Sequence, residues 1–493
     1  MEKTDLLEKI TAHGDSALKS SLSLRGKSFY MPGKKNLHFE ISERKVFLRI
    51  FDVIWVLFSL YVVSIIFRLD YFHFDSESWP WGIVLAAYIL IFGGIFELYD
   101  LQKAGKYYSV LQNVVLATSV TVLFFLMTPV ITPELPDNRL QILYFTLTIL
   151  FTLLIWRFCY IALISSPRFY RRVLIIGDPL EVELVASHLQ QSDPNYNIIG
   201  FLHRGANYNL NAEVNGLENF SEADLREVIR ENSIDEVLIS DVTPAAAEDL
   251  YSEVLKLLKE GFPVKDFNEV YEDKTNRIPV QHIEKNFYRF FPLSRSNNNK
   301  FYLFFHRLAD IFVAILGIFM GCILLPFVFF GNMIANKGRL FYQQERIGKN
   351  GKPFTILKFR TMRYNAEVNG AVWATKNDVR ITRFGKFLRR SRLDEFPQFW
   401  NILKGEMSLI GPRPERPVFV KELSELIPFY DTRHFVKPGL TGWAQVMTDY
   451  ADSHADSLEK LQYDLYYIKH RNIFLDITIL TKTLSTVIFF RGQ

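Results

Sequence analysis

Cysteine is nearly absent from this sequence: Cys159 and Cys322 are the only two in 493 residues. Both sit in apolar runs, 163 residues apart. That spacing makes no metal-binding pattern and gives little reason to expect a disulfide, so both read as ordinary buried or lipid-facing side chains. A large charge imbalance is also missing, since 57 Lys plus Arg face 53 Asp plus Glu for a net +4. No nucleic-acid partner is expected. Nor does the chain open like a cleavable signal peptide: its first forty-five residues are polar and basic rather than a charged tip before an apolar run.

What is present in excess is apolar surface, 49% of the chain, with aromatics at 15%. At this length, two to four folding units are expected. Four long apolar runs follow the basic start, at Val46–Phe67, Trp81–Leu98, Val110–Ile131 and Leu140–Ile164. Each is near the roughly 20 residues that a helix needs to cross the hydrocarbon core. Trp79, Trp81, Tyr107 and Tyr108 lie near run ends, where amphipathic rings favour the interface. Lys27, Lys34, Lys35, Arg44 and Lys45 precede the first run, and Arg168, Arg171 and Arg172 follow the fourth. The positive-inside bias then places both ends of a four-helix transmembrane bundle, residues 46–165, in the cytoplasm.

Residues 170–285 change character. Strand-like runs at Arg172–Ile176, Ile198–Leu202, Glu236–Ser240 and Phe262–Phe267 alternate with helix-like Leu180–Gln190, Leu225–Glu231 and Ala245–Lys259. This alternation predicts a doubly wound, Rossmann-like α/β domain. Its first turn, Gly177-Asp178-Pro179-Leu180-Glu181-Val182, resists a dinucleotide reading. Pro179 and Val182 stand where the phosphate-binding fingerprint has its second and third glycines, so a structural or regulatory role is expected.

A fifth apolar run, Leu308–Phe330, contains Pro326. Basic residues flank it on both sides: Lys285, Arg289, Arg295, Lys300 and Arg307 before, Lys337, Arg339, Arg346 and Lys349 after. A simple crossing would strand one cluster outside. A helix broken at Pro326 that enters and returns avoids this, since proline removes a backbone bond and kinks a helix.

Between Gly338 and Arg416 there are seventeen Lys plus Arg against seven Asp plus Glu. Such an excess beside a membrane element suits anionic lipid, a phosphate pocket, or both. Leu340–Arg346 and Pro353–Phe359, joined through Asn350-Gly351, read as a hairpin. Alternation puts Lys358 and Arg360 on one face, where together they suit a phosphate. In Arg389-Arg390-Ser391-Arg392-Leu393-Asp394-Glu395, the pair Ser391 and Asp394 has the spacing of a capping box. Gly411-Pro412-Arg413-Pro414 is a rigid turn that presents one guanidinium, a group suited to bidentate phosphate recognition.

These segments carry a family resemblance. Lys358–Met362, Leu393-Asp394-Glu395 through Asn401, Lys404–Pro414 and Lys437-Pro438-Gly439-Leu440-Thr441-Gly442-Trp443 occur in order within residues 298–493. This region resembles the bacterial sugar transferase family, the monotopic polyprenyl-phosphate phosphoglycosyl transferases. The bundle and α/β domain ahead of it match the large, exopolysaccharide-type members. Glu406 departs from the Asp often found there. The resemblance implies an enzyme that transfers sugar 1-phosphate from a UDP-sugar to undecaprenyl phosphate and releases UMP. That reaction is the first membrane step of exopolysaccharide or O-antigen-type lipopolysaccharide synthesis. It also implies Asp394 as nucleophile and Glu395 as the second member of the dyad. A carboxylate nucleophile meets repulsion from an anionic diphosphate, so a Mg²⁺ held by Asp394, with Arg389 nearby, is expected to cancel it. Lys358 and Arg389 are then expected at phosphates and Arg413 at the nucleotide, and Arg360 joins Lys358 at a phosphate by strand alternation alone.

The expected architecture is therefore an α/β membrane protein in four parts. They are a cytoplasmic segment 1–45, the bundle 46–165, the Rossmann-like domain 170–285, and a catalytic domain 298–493 with a re-entrant helix 308–330. It belongs in the bacterial inner membrane, with its catalytic domain on the cytoplasmic face, and a homodimer is compatible with the bundle. Two rivals are weaker. A membrane-bound nucleotide-sugar dehydratase needs a Tyr-x-x-x-Lys pair, found only at Tyr30/Lys34 and Tyr99/Lys103, outside the α/β region. A non-catalytic lipid-binding scaffold leaves the Asp394-Glu395 and Arg413 motifs without a purpose.

Overall fold

The computed structural model describes residues 41–67, 71–72, 78–129, 131–163, 170–177, parts of 182–193, 196–203, 217–220, 224–240, 244–280, 299–335, 339–363, 378–448 and 454–488. Lys27, Lys34, Lys35, Arg168, Pro179, Lys285, Arg289, Arg295 and Lys337 lie outside them, as does most of Leu180–Gln190. The chain divides into two compact units, with the boundary after Thr275.

The first unit begins with the apolar helices Ile41–Phe67, Trp79–Ile95, Tyr107–Met127 and Leu140–Leu163. The first, third and fourth are long and apolar enough to cross a membrane. Trp79–Ile95 has 17 residues, the short end of the roughly 17–25 that suffice. Each helix turns some large apolar residues inward, such as Leu60, Phe125, Phe145 and Ile149, while Ile54, Phe58, Leu123 and Ile155 stay exposed. Charges inside the runs are matched. Arg157 donates to Asp52 at 2.5 Å and to the Leu98 carbonyl at 2.9 Å, all within the bundle core. An unpaired charge there would be costly, so pairing lets these residues stay.

Beyond the helices, strands β1 (Arg171–Ile176), β2 (Tyr196–Leu202), β3 (Glu218–Asn219), β4 (Glu236–Ile239) and β5 (Val264–Asp266) form one parallel sheet. Their order is β3-β2-β1-β4-β5. Alternation along β1 sends Val173 and Ile175 to one apolar cluster and Leu174 and Ile176 to another, so both faces are covered. Phe267, read from the sequence as strand, starts a helix instead, because the Asp266 carboxylate accepts from the backbone N–H groups of Asn268 and Glu269. Gly177 has a packing reason: a Cβ there would stand 2.7 Å from the Cβ of Ser240.

The second unit takes in the chain from Asn276 onward. Ile278 and Val280 pack there with Leu423, Leu461 and Ile468. Its longest element is a 36-residue helix, Lys300–Ala335. The apolar run 308–330 is thus only part of it. Pro326 lies inside the helix and does not end it, although proline forfeits the bond to the carbonyl four residues back. Along its length this helix packs on its own unit. Arg307 donates to the carbonyls of Ile402 and Leu403. Asp310 accepts from Ser408 and from the Leu409 N–H. Gly317 lies against Phe399 and Gly331 against Phe384, so closely that neither position has room for a Cβ. The opposite side exposes Phe304, Phe305, Phe312, Phe319, Ile323 and Phe330.

On this helix rest the antiparallel hairpin β6 (Phe341–Ile347) and β7 (Pro353–Phe359), helices Arg383–Arg390 and Gln398–Lys404, and the parallel pair β8 (Ser408–Ile410) and β9 (Gly439–Thr441). Helices Pro417–Leu426, Trp443–Met447, His454–His470 and Ile473–Ile488 complete the unit. The hairpin forms where the sequence places it, with Asn350 and Gly351 both at positive φ in its turn. The structure thus holds an apolar N-terminal helical region followed by mixed α/β units.

Candidate active site

Asp394 and Glu395 lie in a single 3-10 turn, Leu393–Glu395, directly after helix Arg383–Arg390. The chain enters this turn through Arg392, whose φ of 57° is left-handed and reverses its direction. The capping-box reading fails here. Ser391 ends the preceding helix, its hydroxyl donating back to the carbonyls of Phe387 and Leu388, so it caps nothing downstream. The two carboxylates are therefore free of helix-capping duty.

Both side chains are buried, at 7% exposure for Asp394 and 8% for Glu395, and their surroundings differ. Glu395 Oε1 accepts from Lys358 Nζ at 3.3 Å and from Arg413 Nη2 at 3.4 Å, and Oε2 from Arg392 Nη1 at 3.4 Å. Among the described residues, none makes a hydrogen bond or ion pair with the Asp394 carboxylate. Burial alone would raise Glu395, but Lys358, Arg413 and Arg392 hold it well below the usual carboxylate range. Burial and the adjacent Glu395 charge instead push Asp394 up to about 6, against the pull of Lys358, Arg389 and Arg392. Burial also lowers Lys358, while Glu395 opposes that fall.

The fold explains each position. Lys358 is the penultimate residue of β7, and pairing with Tyr342 turns it towards the dyad. Asn401 pins the same strand: its Nδ2 donates to the Thr355 carbonyl and its Oδ1 accepts from the Leu357 N–H. Glu406 holds Asn401 in turn at 2.7 Å, so the departure at that position acts on strand placement. Arg389 Nε donates to the Thr361 hydroxyl at 2.9 Å. Arg413 leaves β8 through Gly411 and Pro412. Gly411 abuts the carbonyl of Lys437 with no space for a Cβ, which explains why two glycine-bearing motifs far apart in sequence meet. Arg433 steadies the turn, donating to the Arg413 carbonyl at 3.1 Å and to Asp464 at 2.8 Å.

Of the residues predicted from sequence, Asp394, Glu395, Lys358 and Arg413 are linked directly or by adjacency, and Arg389 acts on Asp394 through its charge. Arg360 is not among the partners of Glu395. It lies just past the end of β7, its N–H bonded to the Leu340 carbonyl. Sequence reasoning missed Arg392, which sits next to the dyad among many arginines and becomes distinctive only through its backbone. It also missed Gln445, whose Oε1 accepts from Arg413 at 3.3 Å.

Residues 301–490 match the family model of the bacterial sugar transferases. Over 132 residues the chain is 46% identical to a putative undecaprenyl-phosphate N-acetylgalactosaminyl 1-phosphate transferase of Bacillus subtilis (strain 168), covering 27% of this chain and 74% of that protein. The chain belongs to the bacterial sugar transferase family. It is also 39% identical over 226 residues to a UDP-N-acetylgalactosamine-undecaprenyl-phosphate N-acetylgalactosaminephosphotransferase of Aeromonas hydrophila. That match covers 46% of this chain and 52% of the relative. A UDP-glucose:undecaprenyl-phosphate glucose-1-phosphate transferase of Xanthomonas campestris pv. campestris is 30% identical over 333 residues, 64% of this chain and 66% of its own length. The chain thus spans about half to just under two thirds of these two relatives. Residues 94–260 match the model of a CoA-binding domain, a likeness that covers part of the helical region and most of the parallel sheet. All of the dyad's partners lie in the segment matched to the sugar transferase family.

Proposed function

We propose that this protein transfers sugar 1-phosphate from a UDP-sugar to undecaprenyl phosphate through a covalent intermediate on Asp394. The observation that carries the reading is the asymmetry of the dyad. Glu395 is held by three cations, while the Asp394 carboxylate has no bonded partner among the described residues. In the first step an Asp394 oxygen attacks the phosphorus that bears the sugar. The new P–O bond forms as the bond to the bridging oxygen breaks, and the electron pair leaves with UMP. In the second step an oxygen of undecaprenyl phosphate attacks the same phosphorus, and the Asp394 carboxylate is released. Splitting the transfer in two keeps each displacement simple.

A buried carboxylate approaching a diphosphate meets repulsion, so positioned cations are the main catalytic resource. In this reading Arg389, Arg392, Lys358 and Arg413 supply them, with Arg413 towards the nucleotide. Glu395 acts as the anchor that holds Lys358, Arg392 and Arg413 around the nucleophile. The pair also suits Mg²⁺, which is commonly bound by one or two carboxylates together with substrate phosphates. Asp394 would hold the ion, and the ion would neutralise phosphate charge.

The long helix is read as re-entrant. At 1.5 Å per residue, 36 residues span about 54 Å, well beyond a hydrocarbon core of about 30 Å. Its contacts with the catalytic unit run from Arg307 to Gly331, and its other side is apolar. Pro326 lacks one backbone bond inside this helix, so a kink there lets it enter and return on one face while staying helical, and its own unit packed along one side suits that better than a crossing. That face is then the cytoplasmic side of the bacterial inner membrane, where the first membrane step of glycan assembly takes place. The parallel sheet is assigned a Rossmann-like structural or regulatory role, consistent with Gly177 being packed against Ser240.

The test is UMP release by the full chain in detergent, with undecaprenyl phosphate and Mg²⁺, across a panel of UDP-sugars. Turnover of at least one donor that depends on the lipid phosphate is expected. No turnover of any donor would favour the scaffold reading.

A further inference from the structure

A second basic site lies away from the dyad. A cleft of about 750 Å³ is lined by Lys349, Lys352, Lys404 and Lys437, with Trp400 and Glu406 among its walls. None of Lys358, Asp394, Glu395 or Arg413 borders it. Strand alternation explains the separation. Gln343, Thr355 and Leu357 face the cleft, whereas Lys358, one residue on, turns to Glu395.

At Gly405, which lines the cleft, charges from distant segments approach one another. A Cβ built on Gly405 would lie 3.3 Å from both Arg307 Nη2 and Lys437 Nζ. Burial, then the charges of Arg307 and Lys349, lower the Lys437 ammonium against the opposing pull of Asp310, so these cations sense one another. The one carboxylate in the lining, Glu406, already accepts from Asn401. The cleft is therefore concave and net positive, and its chemistry suits an anion.

Its setting identifies the anion's source. Arg307 belongs to the long helix, and Phe304, Phe305 and Leu308 beside it expose apolar rings and chains. Trp400 is half exposed, with the Lys404 ammonium 5.9 Å from its ring. An exposed Trp among lysines next to an apolar surface is the chemistry of the headgroup level. We propose that this cleft binds the phosphate headgroup of an anionic membrane lipid, independently of the substrate at the dyad. The assignment rests on the apolar helix face lying in the membrane, not on the catalytic mechanism.

The experiment uses the full chain in detergent, titrated with short-chain phosphatidylglycerol, short-chain phosphatidylcholine or inorganic phosphate, with bound lipid read by native mass spectrometry. Saturable binding of phosphatidylglycerol is expected, with little of phosphatidylcholine and no competition from equimolar phosphate. Lys349→Gln combined with Lys352→Gln should weaken phosphatidylglycerol binding about thirtyfold, at about 1 kcal/mol for each charge near an anionic headgroup. The Arg pair at the same positions should retain it, and UMP release should be unchanged in both variants. Unaltered phosphatidylglycerol binding in the Gln pair would overturn the site. Displacement by inorganic phosphate at equal concentration would overturn the lipid as its source.

Discussion

Asp394 and Glu395 are adjacent and equally buried, yet only Glu395 is ion-paired: Lys358, Arg392 and Arg413 all close on it. The same arrangement sets their protonation. Glu395 stays ionised and its charge, with burial, pushes Asp394 up to about 6. A nucleophile must be ionised, so the first half-reaction should gain rate as pH rises through about 6 and then level. UMP release without lipid acceptor is the right readout, because a phosphate monoester such as the acceptor titrates near pH 6 itself. Glu395→Gln removes the neighbouring charge and should move the midpoint to lower pH while reducing the plateau. A midpoint that stays put or rises would contradict the coupling.

Arg433 and Asp464 form a buried pair at 2.8 Å behind the Arg413 turn. Arg433→Ala leaves a buried carboxylate unmatched, and losses of about 3–5 kcal/mol are typical of such changes. Denaturant unfolding should register that loss, and activity should fall through misplacement of Arg413. A change below about 1 kcal/mol would show that water or another group replaces the guanidinium.

Gly411 abuts the carbonyl of Lys437 and leaves no room for a side chain. Gly411→Ala should push β8 from β9 and cost about 1–3 kcal/mol, the usual range for overpacking. Thermal unfolding of the variant checks this; an unchanged midpoint would mean that the strand pair yields freely.

The long helix should have both ends on one side of the membrane. With Cys159 and Cys322 replaced by Ser and Ala, Lys300→Cys and Arg339→Cys should each react with an impermeant maleimide from the same side of sealed vesicles. Reaction from opposite sides would establish a crossing helix.

Much of this was legible in the sequence, for physical reasons. The hydrophobic runs had to become helices, and the Asn350-Gly351 turn fixed the hairpin register. Asp394 and Glu395 were marked by the resemblance of their motif to the family, since composition alone suited a capping box as well. What sequence does not carry is direction. Arg360 was grouped with Lys358 by alternation; it lies just past the strand end, its N–H still bonded to the Leu340 carbonyl, and it is not a partner of Glu395. Arg392 looked like one arginine among several until its left-handed backbone turned it to Glu395. Ser391 and Asp394 had capping-box spacing, but a helix ends between them and a 3-10 turn begins. Pro326 suggested a break, yet packing on both sides of it supports a continuous helix.

A covalent intermediate on Asp394 leaves a direct chemical signature. Full-length protein incubated with its UDP-sugar and Mg²⁺, without lipid acceptor, should release UMP in an amount near that of the enzyme. Mass spectrometry of the digest should then find a sugar phosphate on the peptide containing Asp394. Asp394→Asn keeps the size of the side chain but removes the anionic oxygen, and should abolish both signals while unfolding like the parent. UMP release only after undecaprenyl phosphate is added, with no adduct trapped, would contradict the account and point to direct transfer between the two substrates.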